Sequence, residues 1–157
     1  MAHFKNFKTV VYIPEGIARE LTSEKLAYDY DFLEKYMGLD KVYLETYRGT
    51  IVDEDQINMI KTFLESKGVE VSGGITTVYN DRSYADGKQR LFGTVCYTDP
   101  VMRDKIKEVS GYTAKFFDEI ILDDFYFTNC TCENCIKAKG DKSWTEFRRS
   151  LMTEVSE

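Results

Sequence analysis

Histidine is almost missing from this 157-residue sequence: its single copy, His3, stands at the N-terminal edge. A Ser-His-Asp triad is therefore not expected, and acid–base chemistry falls to carboxylates, tyrosines or lysines. Clustered basic charge is also lacking. Lysines and arginines are scattered, no block exceeds a pair such as Arg148-Arg149, and the net charge is -6. That argues against a nucleic-acid partner, which needs a concentrated basic face. No apolar run approaches membrane-spanning length, so no membrane partner is expected. Residues 1–16, MAHFKNFKTVVYIPEG, have neither the apolar centre nor the small-residue cleavage site of a signal peptide. The expectation is a cytoplasmic protein, or one whose export signal lies outside this sequence. Four cysteines are too few for a disulfide scaffold.

What is present suffices for one core. Hydrophobic residues make up 43% and charged residues 31%, a soluble balance, so residues 1–157 read as a single domain. Many of the aromatics are tyrosines, which suit sugar-like or flat ligands and also fill cores.

The pattern along the chain alternates. Residues 8–13 (KTVVYI) form a β-branched strand. Residues 23–37 carry Leu26, Tyr30, Leu33 and Met37 at helical spacing, and Gly38 follows as a left-handed cap. Residues 41–46 (KVYLET) predict a second strand. Asp53 opens a second helix with Gln56 three residues on, and Ile57, Ile60 and Leu64 form its stripe. Residues 69–77 predict a third strand, weakened by Gly73 and Gly74, which mark a bulge or a close backbone approach. Residues 80–89 are polar and loop-like. Asp99-Pro100 starts a third helix with Met102, Ile106, Val109, Thr113 and Phe116 on one face. Residues 119–126 predict strand four, and Ser143 with Glu146 makes a capping box for a last helix burying Trp144, Phe147, Leu151 and Val155.

The class is α/β: four consecutive βα units with a parallel sheet, half of a TIM (β/α)8 barrel. An open half barrel exposes two strand edges and an apolar inner face. That predicts a fragment of a larger catalytic domain completed by the C-terminal half of the barrel, or a homo-oligomer. A Rossmann-like or flavodoxin-like sheet is the alternative. Against it, Pro14-Glu15-Gly16 stands where a GxGxxG turn is required, and no GxxxxGK[ST] loop occurs.

The chemistry concentrates in residues 117–135, FDEIILDDFYFTNCTCENC. An apolar strand tolerates carboxylates at its end only where water, a proton, a partner or a ligand compensates them. Asp123 and Asp124 are therefore the candidate catalytic acids, and strand alternation lets only one of them face a barrel axis. Glu15 and Glu45 end strands one and two on the same rim, with Tyr47 and Arg48 following. These four are candidate carbohydrate-binding groups; ordinary loop polarity is the competing reading of each. Cys130, Cys132 and Cys135 crowd as C-x-C-x2-C, with Cys96 as a candidate fourth zinc ligand. A disulfide or reduced thiols are the alternatives. No cofactor is required by the reaction expected here.

Taken together, YTDP at residues 97–100, the LDDF phrase with its cysteine loop, and KAKGDKSWTEFR resemble TIM-barrel glycoside hydrolases of gut-type bacteria. The resemblance spans nearly the whole chain but only the first half of such a barrel. It implies glycosidic-bond hydrolysis by strand-end carboxylates. More remotely, the chain is similar to retaining α-galactosidase-like barrels with an Asp nucleophile after strand four. Those carry a Lys shortly before that Asp, where Ile121 and Leu122 stand here. The alternative is a non-enzymatic half-barrel module with a cysteine metal site or a role in self-association.

Overall fold

The computed structural model describes residues 4–78, 93–123 and 126–157. His3, the polar segment 80–89 and Asp124 lie outside the described residues. Strands β1 (Val10–Ile13), β2 (Lys41–Tyr47), β3 (Glu70–Ile75) and β4 (Ile120–Leu122) form one parallel sheet in the order β1-β2-β3-β4. Helices α1 (Glu15–Glu20) and α2 (Ser23–Tyr36) connect the first two strands, and α3 (Glu54–Ser66) the next two. Helix α4 (Pro100–Thr113) precedes β4, and α5 (Glu133–Lys139) and α6 (Trp144–Ser156) follow it. Among the described residues each strand pairs with the one before it in sequence, and the sheet shows no topological switch point. Dinucleotide and flavodoxin-like sheets bind at such a reversal, and the alternative reading loses its main support.

Local signals explain the helices. Asp53 accepts from the Gln56 N–H at the start of α3, Asp99 caps α4 ahead of Pro100, and Ser143 and Glu146 close a capping box on α6. Gly38 and Gly68 end α2 and α3 at φ 70° and 81°, where a Cβ would be strained. Much of the expected stripes is buried: Leu26 on α2, Ile57, Ile60 and Leu64 on α3, Ile106, Val109 and Thr113 on α4, Phe147 and Leu151 on α6. Tyr30, Leu33, Met102, Trp144 and Val155 are only partly buried, and Met37 is exposed because it lies past the end of α2. Full burial of each large apolar side chain contributes about 1.5–3 kcal/mol. Trp144 packs at the edge of the α6 cluster, as a helix anchor does.

Three expectations change. Helices α1 and α5 are additional; each is too short to show a periodic stripe, and Gly16 lies inside the first. Strand four is only Ile120–Leu122, although the Asp123 N–H still donates to Ile75 O at 3.0 Å. The sheet face away from the main core is not apolar. Val42 and Leu44 of β2 face the helices, while Tyr12, Tyr43, Glu45 and Gly74 share the opposite face. Hydrogen bonding by those polar groups removes the need for an apolar cover there.

Two glycines show why the third strand tolerates no side chains at its centre. A Cβ on Gly73 would stand 2.6 Å from Thr113 Cγ2 and 2.8 Å from Phe117 Cδ2. A Cβ on Gly74 would stand 3.0 Å from the Tyr12 hydroxyl and 3.3 Å from Glu45 Cα. One lets α4 sit on the sheet; the other makes room for the polar cluster on the far side.

Candidate functional site

Glu45 gathers groups from β1, from the turn after β1 and from the segment after β3, and Arg48 links it to Asp123 after β4. The Glu45 carboxylate is fully buried at the end of β2. Tyr12 of β1 donates its hydroxyl to Oε1 at 2.9 Å, and the Glu15 N–H donates to Oε2 at 2.6 Å. Arg48 donates Nε to both oxygens, at 3.1 and 3.0 Å, and the Thr76 hydroxyl donates to Oε1. A charge taken out of water must be compensated in this way. Arg48 Nη2 reaches onward to Asp123 Oδ2 at 3.0 Å, and Thr76 Oγ1 is 3.0 Å from the same oxygen. The side chain of Asp123 keeps 24% of its surface exposed.

A β-bulge at Thr46 sets up this geometry. Glu45 pairs with Gly74 and Tyr47 with Ile75, so Thr46 is the extra residue. Thr46 turns to the helix side, sharing a hydrogen bond of 2.5 Å with Thr113 Oγ1. Tyr47 follows it and is buried with Ile75 and Val109. Glu45 is left as the last side chain of β2 on the polar face. Burial, and then the charge of Glu45, raises the Tyr12 phenol well above its ordinary value. Burial alone would lower the Arg48 guanidinium, but bonding to Glu45 and the surrounding negative charge outweigh it, and the net direction is up. Tyr12 and Arg48 therefore stay protonated as donors.

Of the residues singled out from the sequence, Glu45, Arg48 and Asp123 come together, and Glu15 joins through its backbone. The Glu15 side chain turns to Arg19, whose Nη1 donates at 3.2 Å. Tyr47 lies on the other face, beside α4. Tyr12 and Thr76 are members the sequence reading missed. Tyr12 had a signal, since it alternates away from Val11 and Ile13, which pack on the main core.

The amino ends of the strands hold a second charged group. Lys41 donates to Glu70 at 2.7 Å and to Glu119 at 2.8 and 2.9 Å, and Tyr43 donates to Glu119 at 2.7 Å. Those bonds raise Lys41 and hold both carboxyls below their ordinary 4.5. Depressed carboxylates stabilise the fold fully above the unfolded value and lose that contribution as pH falls through the folded one. Lys41→Met is therefore expected to flatten the decline of stability below about pH 4.5. Parallel Tm–pH curves for the two proteins would show that Lys41 does not couple to these acids.

The four cysteines also come together. Cys96 precedes α4, Cys130 lies after β4, Cys132 caps α5 and Cys135 lies within it; all are buried. Their sulfurs lie within 4.8 Å of one another and could hold a metal ion. Bonding to Cys130, then burial, pushes the Cys96 thiol up, and burial pushes Cys135 up to about 11.

The fold is of the α/β class, one parallel sheet with carboxylates gathered at its strand ends. The chain belongs to the family described as "probable glycosyl hydrolase, catalytic domain", whose model matches residues 1–157. It is 32% identical over 154 residues to an uncharacterized protein of Saccharolobus solfataricus, a match covering 96% of this chain and 25% of that protein. The chain thus spans about a quarter of the length of that relative. No solved structure matches it.

Proposed function

We propose that this domain contributes the strand-end carboxylates of a glycoside hydrolase, with Asp123 as the acid that meets the sugar. The observation that carries the reading is the Arg48 bridge between buried Glu45 and part-exposed Asp123. Glycoside cleavage needs one carboxyl to protonate the leaving oxygen and one to attack or to activate water. Asp123 is paired with a guanidinium, so its role is nucleophile or base. Glu45 is saturated by donors and acts as a positioning residue that aims Arg48. Arg48 and Tyr12 are the groups placed to bind sugar hydroxyls. Asp124 is the neighbouring candidate, and the proton donor comes from another part of the protein.

The four βα units are, in this reading, half of a (β/α)8 barrel. The strand order supports it. So do both edges of the sheet. Ile121 and Leu122 of β4 are exposed, and an apolar groove beside β1 is lined by Val11, Ile13, Ile17, Leu26 and Leu33. Further βα units of a longer protein would cover these surfaces, as the length of the relative suggests.

The test is turnover of a panel of aryl glycosides by the full-length protein. Asp123→Asn is expected to lower kcat by about 10²–10⁴-fold, against a milder effect of Asp124→Asn. Wild-type turnover in Asp123→Asn would remove this acid from the reaction.

A further inference from the structure

We propose that Cys96, Cys130, Cys132 and Cys135 bind one structural zinc ion that clamps two loops at the carboxyl rim of the sheet. Cys96 Sγ stands 3.8 Å from Cys132 Sγ and 3.5 Å from Cys135 Sγ. A tetrahedral zinc with Zn–S of about 2.3 Å separates its sulfurs by about 3.8 Å. A disulfide would draw one pair together and leave the others apart. Here Cys96 is nearly equidistant from two partners, as a ligand in a shared shell is, and all four sulfurs lie within 4.8 Å of one another, so small side-chain shifts would bring them onto one ion. Thr98 Oγ1 lies 3.0 Å from Cys96 Sγ and 3.3 Å from Cys135 Sγ, so a hydroxyl is in place to donate to metal-bound sulfur. Cys132 and Cys135 supply the x2 knuckle common in structural zinc sites, Cys130 stands two residues before it, and Cys96 comes from a separate segment.

The clamp has a structural purpose. Helices α5 and α6 pack on a small apolar cluster centred on these cysteines, Tyr97, Phe147 and Leu151, apart from the main core. A small cluster benefits from a metal that contributes directly to folding. The ion would tie the segment before α4 to the loop that follows Asp123. The two loops also meet where Thr94 Oγ1 donates to Asn129 Oδ1 at 3.0 Å, and where the Tyr97 and Tyr126 rings lie 5.9 Å apart. This role is independent of whether Asp123 is catalytic.

The experiment is elemental analysis of the whole chain purified under reducing conditions without added metal. Stoichiometric zinc is expected, released by a strong chelator together with a lower Tm and newly reactive thiols. Cobalt exchanged into the wild-type protein should give the visible spectrum of a tetrahedral tetrathiolate, so the ligand count does not depend on a variant that fails to fold. Metal-free native protein whose Tm ignores the chelator would overturn the site. So would a disulfide among the four, stoichiometric iron, or a cobalt spectrum with fewer than four thiolates.

Discussion

Arg48→Met is expected to lower stability by about 2–3 kcal/mol and Tm by roughly 5–10 °C. Removing one partner of a buried ion pair leaves the other charge uncompensated. Glu45 has no exposed surface, so water cannot replace the guanidinium. The loss stays below the upper limit for a fully buried pair for two reasons. Glu45 keeps Tyr12, the Glu15 N–H and Thr76 as donors, and Arg48 is itself one-third exposed. The double variant Glu45→Gln/Arg48→Met should recover part of the loss, because the fully buried carboxylate is removed together with its guanidinium, while Asp123 stays part-exposed to water. Additive effects of the two substitutions would mean that the bridge contributes little. On the proposed function, Arg48→Met should also depress glycoside turnover, since Asp123 loses its guanidinium partner.

Gly73→Ala is expected to cost about 3 kcal/mol, a fall in Tm of roughly 6–12 °C. The added methyl would meet Thr113 Cγ2 at 2.6 Å and Phe117 Cδ2 at 2.8 Å, and neither can yield cheaply. Thr113 is fixed by bonds to Thr46 and to Val109 O, and Phe117 is buried in the main core. The helix must back away from the sheet or turn two locked side chains. Gly74→Ala meets a milder contact, at 3.0 Å from a phenol oxygen, and should cost less. Equal Tm values for Gly73→Ala and wild type would show that α4 is free to shift.

The sequence carries the periodic parts of this fold openly. The stripes of α3, α4 and α6, their caps, and three of the four strands follow from spacing and cap chemistry alone. Helices α1 and α5 do not, because six or seven residues are too few to establish a period. In the site, Glu45, Arg48 and Asp123 were legible because charge at the end of an apolar strand is costly and conspicuous. Tyr12 and Thr76 were not, since a tyrosine in a strand and a threonine after one are ordinary there. Tyr47 was misleading for a specific reason: the bulge at Thr46 turns it to the other face, and no pattern of alternation announces that. The cysteine cluster was half visible. The C-x-C-x2-C run stands out, but that Cys96 reaches it is a tertiary fact.

The strand order also bears on how the chain reaches this state. Pairing is always with the preceding strand, so the sheet can grow in the direction of synthesis, each unit docking on a finished neighbour. Tyr12 and Glu45 meet as soon as β1 and β2 pair, whereas Asp123 arrives only with three-residue β4. The candidate site therefore draws on both edges of the four-stranded sheet, and loosening three-residue β4 alone would take Asp123 from it while leaving Tyr12 on Glu45.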